Sequence, residues 1–424
     1  MLYRILYVVD ILAVVIAVIL ATGGDTPRFT GESDRVRTYT REIEFDYPNW
    51  VWNAIWTKLE QGAIGAPYLF DRGTDKHIVY EYLRVTGQLM NTESAIEQLY
   101  ANPDVKDKEA TSEALRTQRD KLIAEQNQLA PFAEATLQGQ VSQAFAELGL
   151  TSGGQTLPPL LYHTSPTPLA LIVSPRNRIE QITNISVLPT LTLDEQIKLE
   201  DDVARSLDVS TLVVPIGGVG VYPTMVMETT DLRWVLNTIA HEWTHNYLTV
   251  RPLGLNYSTT PELRTMNETT ASIVGDEVGN YVVKKYYPEL YVPPPPPSTA
   301  QNNTPPPTPN PNTPPPFDFR AEMHETRVHA DELLAQGKIK EAEDYMEQRR
   351  QLFWQNGYLI RKLNQAYFAF HGAYADVPGG AAGEDPVGPA VRALREESPS
   401  LADFVNRIAW MTSFDELKKA VQKK

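Results

Sequence analysis

Apolar residues recur at helical spacing over most of this chain, and the places where that spacing fails mark its organisation. Ile5 to Thr22 is apolar apart from Asp10. A run of that length approaches the roughly 20 residues a membrane span needs, and Asp10 lies toward its N-terminal side, where an intramembrane carboxylate costs less. Ala21-Thr22-Gly23 also offers small residues for signal cleavage. Residues 1–24 are therefore expected to be a membrane anchor or a signal peptide, and either places the remainder outside the cytoplasm. Residues 25–42 are polar and read as a linker, and 48–61 read as a helix opened by Pro48. From about 79 to 150 the spacing predicts a pair of long helices, broken at Pro131.

The pattern changes after Gly153. Residues 169–175 ("LALIVSP") and 210–227 ("STLVVPIGGVGVYPTMVM") are β-rich, and 193–207 between them reads as an exposed helix. Pro215, Pro223 and three glycines make the second β run a poor central strand. It suits an edge strand, either closed off by its prolines or left open for an extended peptide to add to. Residues 293–316 hold thirteen prolines and read as an extended, coreless surface loop. Strong helical spacing resumes beyond it, with a turn at Gly337. The expected organisation is 25–153 mainly helical, 154–292 with strands and the candidate chemistry, the loop 293–316, and a helical 317–424.

The chain has no cysteine, so any metal must be held by His and carboxylate, and disulfides and thiol nucleophiles are excluded. Its net charge of −15, with no block of Lys and Arg, argues against nucleic acid as a partner.

One stretch carries specific chemistry. In "TTDLRWVLNTIAHEWTHNYL", Thr230 or Asp231 can cap a helix on which Leu232, Val235, Leu236, Ile239 and Trp243 form a buried face. At about 100° per residue, His241 and His245 share one face a turn apart. Imidazoles so placed can fill two corners of a zinc tetrahedron, with Glu242 beside them to act on water. A third ligand is needed, and the next helix, opened by Thr260-Pro261, offers Glu268 in "NETTAS" and Glu277 in "GDEVG". Glu268 is preferred, because Thr269, Thr270, Ala271 and Ser272 around it leave space for another helix to approach. "HETRVH" (324–329) imitates the motif, but it lies in a charged helix with no ligand helix after it. His77 and His163 are isolated. An oxyanion donor is also required, and Asn364, Tyr367, His371 and Tyr374 lie together near a helix end.

"HEWTH" followed by "NETTA" resembles the gluzincin metallopeptidases. With "MNETTASIVGDEVG", "FRAEMHETRVHADELLAQG", "LNQAYFAFHGAY" and "SLADFVNRIAW", the likeness is closest to a bacterial family of predicted zinc aminopeptidases, over about half the chain. The resemblance implies an α+β zincin-like domain with a small sheet on the zinc helices and helical segments on both sides. It implies Zn2+ held by His241, His245 and Glu268, Glu242 as general base, Tyr374 as oxyanion donor, and a peptide or protein substrate. Thermolysin-type enzymes carry an Asp four residues after the ligand Glu to orient a zinc histidine. Ser272 stands there in this chain, and Asp276 is the candidate replacement. Two other classes fit the same residues: a zinc-binding protein without turnover, and a surface-anchored interaction module built on the helical hairpins and the polyproline.

Overall fold

The computed structural model describes residues 31–63, 72–101, 105–291, 317–372, 383 and 385–422. Helices α1 (Glu32–Thr40), α2 (Tyr47–Ala63), α3 (Arg72–Ala101) and α4 (Lys108–Glu147) lead to strands β1 (Tyr162–Thr164), β2 (Leu169–Pro175) and β3 (Thr183–Val187). Next come α5 (Leu193–Leu207), β4 (Val209–Pro215), β5 (Gly218–Val219) and β6 (Thr224–Val226). Helices α6 (Leu232–Thr249), α7 (Pro252–Leu255) and α8 (Pro261–Tyr286) follow. After the polyproline come α9 (Phe319–Ala335), α10 (Ile339–Gln355), α11 (Gln365–His371), α12 (Val387–Glu397), α13 (Leu401–Ile408) and α14 (Phe414–Val421). The architecture is α+β and mostly helical, as expected.

Alternation along β2 serves two layers at once. It lies between β3 and β4, antiparallel to both, with Leu171 opposite Ile185 and Val213. Successive side chains leave a strand on opposite faces. Leu171 and Val173 therefore pack with Val36 of α1 and Leu199 and Val203 of α5, while Ala170 and Ile172 pack against Ala366 of α11. The second sheet has the order β1-β6-β5, with β1 parallel and β5 antiparallel to β6. It lies on α6, with Val226 in the same core as Val235, Leu236 and Ile239.

Three expectations are corrected here. Residues 32–40 are a helix and not linker, because Val36 and Thr40 find a buried seat beside the first sheet. The β run 210–227 is three strands. Its first and second parts lie at sheet edges, but Thr224–Val226 is central, with Pro223 just outside the strand. Pro131 does not break α4, which runs unbroken for 40 residues. An internal proline costs roughly 3 kcal/mol, and burial of Ala133, Leu137, Val141, Ala144 and Phe145 along one side of that helix offsets it. The two long helices are instead divided between Ala101 and Lys108, where Asp107 accepts the amide of Ala110. The predicted turn at Gly337 is present, with φ of 73°, a region that favours glycine.

One core joins regions that the sequence reading set apart. Leu83 and Phe145 from the N-terminal helices, Trp243 and Val278 from α6 and α8, and Val391 and Phe404 from the C-terminal helices belong to the same buried cluster. Trp243 is 1% exposed and donates from Nε1 to the carbonyl of Pro158 at 2.9 Å, so its polar edge is satisfied. The apolar segment 1–24 and the polyproline 293–316 lie outside the described residues. No described helix is long and apolar enough to cross a membrane.

A buried carboxylate ties α4 to its neighbours. Glu134 is 0% exposed and accepts from Lys58 at 3.0 Å, Gln61 at 2.9 Å, His163 Nδ1 at 2.9 Å and the amide of Thr164 at 2.8 Å. Burial alone would raise its pKa, but Lys58 and His163 together hold it down at about 2. A carboxyl depressed below its unfolded value of about 4.3 stabilises the fold above that pH, and the contribution fades as pH falls toward the folded value. Glu134→Ala should cost about 3–5 kcal/mol at pH 7, because it strands Lys58. Urea unfolding should show the gap between variant and wild type narrowing from pH 4.5 toward pH 2. A gap that is constant with pH would contradict the ion pair.

Candidate metal centre

Two capped helices lying side by side bring the predicted ligands together. Asp231 accepts the amide of Trp234 to start α6, and Thr260 accepts that of Leu263 to start α8, with Pro261 in the first turn. The predicted buried face of α6, Leu232, Val235, Leu236, Ile239 and Trp243, is buried. The helices approach closely because α8 presents small groups. Thr269, Thr270 and Ala271 are fully buried, and a Cβ added to Gly275 would stand 2.8 Å from the carbonyl oxygen of Asn237.

On this frame His241 Nε2 and His245 Nε2 lie 3.0 Å apart, and each is 3.5 Å from Glu268 Oε2. That oxygen is buried and, among the described residues, is met by no hydrogen bond of normal geometry. The three atoms face one centre. A tetrahedron with metal–ligand bonds of about 2.05 Å has edges of about 3.3 Å, so the observed spacings suit a small cation held by two imidazoles and a carboxylate. The donor set is one that zinc accepts.

The surrounding charges suit the same reading. Burial would raise the pKa of Glu268, but His245 and His241 hold it well below the usual carboxylate range, so it stays anionic. Burial pushes Glu242 upward, against the pull of the two histidines. His245 Nδ1 meets Asn267 Oδ1 at 2.8 Å, which fixes its ring with Nε2 toward Glu268. The hydroxyl of Tyr257 donates to the other oxygen of Glu268. Neither Asn267 nor Tyr257 was picked out from the sequence. Asn267 could have been, since it directly precedes the ligand candidate on the helix. Tyr257 lies between α7 and α8, and no spacing marks it.

Glu242 is 8% exposed and shares with His241, His245 and Glu268 the lining of a cleft of about 480 Å³. Its neighbour across the cleft is β5. A Cβ on Gly218 would stand 2.6 Å from Glu242 Oε1, and one on Gly220 would stand 2.8 Å from the Cβ of His245. These glycines let the strand lie directly against the face of α6 that carries Glu242 and His245. Gly218→Ala should displace the strand or Glu242, and, were Glu242 the base that the resemblance implies, a displacement of about 1 Å would lower turnover about 10²-fold. Metal content, read by atomic absorption, should stay unchanged in that variant. Full turnover would show that the close approach is irrelevant to the chemistry.

The register leaves β5 open. Met227 donates to the carbonyl of Gly217, which makes Gly218 and Val226 a non-hydrogen-bonded pair. The N–H and C=O of Gly218 therefore point away from β6, and no described strand lies beyond them.

The remaining predicted residues separate. Glu277 lies away from the cluster and is paired with Arg395 at 2.6 and 2.8 Å. Ser272 and Asp276 line a neighbouring cleft with His241 and Glu242, and Asp276 accepts from Asn237 at 2.6 Å. His324 and His329 join no metal-like group among the described residues, and His329 faces Glu332 at 3.2 Å. His163 serves Glu134. Of the oxyanion candidates, Asn364 caps α11 and donates to the carbonyl of Thr211, and Tyr367 packs among buried apolar side chains. Burial lowers the pKa of His371 to about 4. Tyr374 lies outside the described residues. The α11 side chain lining the cleft is Phe370.

No protein-family model, no curated protein and no solved structure matches this chain.

Proposed function

We propose that this protein is a zinc-dependent peptidase of gluzincin type, working outside the cytoplasm behind its N-terminal apolar segment. The observation that carries the reading is the meeting of His241, His245 and Glu268 at 3.0–3.5 Å beside the nearly buried Glu242. His241, His245 and Glu268 would hold the metal, which when bound supplies Lewis acidity that eases the ionisation of water and polarises a carbonyl. Glu242 takes the proton from the attacking water and returns it to the departing amine. Its raised pKa brings it nearer the pH at which such a transfer runs in both directions. The outward N–H and C=O of Gly218 hold the peptide backbone by strand addition. Asn267 and Tyr257 keep His245 and Glu268 aimed.

The test is hydrolysis of a peptide library by the zinc-loaded full chain, each peptide offered with a free and with a blocked N-terminus. Chelation should abolish cleavage, and added zinc should restore it. Absence of cleavage on every peptide, with about one zinc bound per chain, would leave a metal-binding protein without turnover.

A further inference from the structure

The cleft at the metal centre runs beside a second, apolar one. Helix α2 brings Val51, Trp52 and Ile55 beside Val219 and Val221, around a shallow cleft that is wide open to solvent and has almost no polar lining. Tyr47 and Val219 line both clefts, so the two share a wall at the outer edge of β5. The direction of Gly218 toward Thr238 and Glu242 sets the face of Val219. Successive residues alternate, so Val219 turns away from α6.

Trp52 is 61% exposed. An indole left in water at the mouth of an apolar cleft, beside an open strand edge, marks a place where another apolar surface is received. A peptide added along Gly218 sends alternate side chains to each face of the sheet. Those on the face of Val219 meet α2.

We propose that this cleft is a side-chain subsite, and that the preferred substrates are peptides with a bulky apolar residue such as Leu or Phe close to the cleaved bond. This rests on the peptidase reading and adds the substrate class to it. The selecting residues belong to α2, outside the part of the chain that carries the metal motifs.

The experiment uses the zinc-loaded full chain and fluorogenic peptides that differ only by Leu or Ala at one position near the cleaved bond, taking each position in turn. At one position Leu should raise kcat/KM roughly tenfold or more over Ala. In Val51→Arg, which puts a charge into the cleft, that ratio should fall to near one with the melting curve unchanged. Ile55→Ala, which only widens the cleft, should move the preference from Leu toward Phe. A Leu/Ala ratio that neither variant alters overturns the subsite.

Binding separates this proposal from the reading beneath it. Titrated into Glu242→Gln, the Leu peptide should shift the tryptophan emission, and Trp52→Phe in the same background should remove that change. If no peptide is cleaved but Trp52 still responds to Leu over Ala, the cleft stands and the peptidase reading fails. If peptides are cleaved with no apolar preference and no Trp52 response, the peptidase reading stands and the subsite fails.

Discussion

Glu242→Gln should keep its fold and about one zinc per chain yet lose nearly all peptide hydrolysis. Glutamine has the size of the glutamate but accepts no proton from water, and loss of a general base costs on the order of 10²–10⁴-fold. The residue is well placed for this to be a clean experiment. It is not one of the three converging donors, so metal retention should not depend on it. It is 8% exposed, with Gly218 packed against it, so an isosteric change disturbs little. Turnover and metal content measured on the same sample decide the matter. Equal turnover by wild type and variant on any cleaved peptide would sink the mechanism and leave the metal a structural role.

Glu268→Ala should strip the metal, and Glu277→Ala should not. Loss of an outer partner of a metal ligand typically lowers affinity about 10–100-fold, and loss of a ligand itself should exceed that. Glu268 contributes a buried, anionic oxygen 3.5 Å from both imidazole nitrogens. Glu277 points elsewhere, to Arg395, in a partly exposed pair whose loss should cost about 1 kcal/mol or less. Competition against a chromogenic chelator reads both variants on one scale. Metal loss in Glu277→Ala alone would mean that α8 presents a different carboxylate to the histidines.

The reach of the sequence follows from the range of the forces involved. His241, Glu242 and His245 were legible because helical pitch is a local property and sets their relative directions without any tertiary contact. The same holds for the caps at Asp231 and Thr260, the buried face ending at Trp243, the turn at Gly337 and the alternation along Leu169–Pro175. The preference for Glu268 came from the small residues around it, which report close helix packing before any partner is seen.

What only the tertiary structure decided is what depends on a partner distant in the chain. Pro131 breaks no helix because the buried side of α4 outweighs one missing hydrogen bond. Residues 32–40 become a helix because a sheet some 140 residues away receives Val36. The glycines at 217, 218 and 220 looked like breaks in a strand, and the use of Gly218 and Gly220 is to let a backbone approach Glu242 and His245. Asn267 and Tyr257 gain meaning only once α6 and α8 are side by side. The apolar cleft needs α2 and β5, more than 150 residues apart, to face each other. Periodicity sets which side of each element is apolar, but the choice among possible partners is made by burial and close packing across the whole fold.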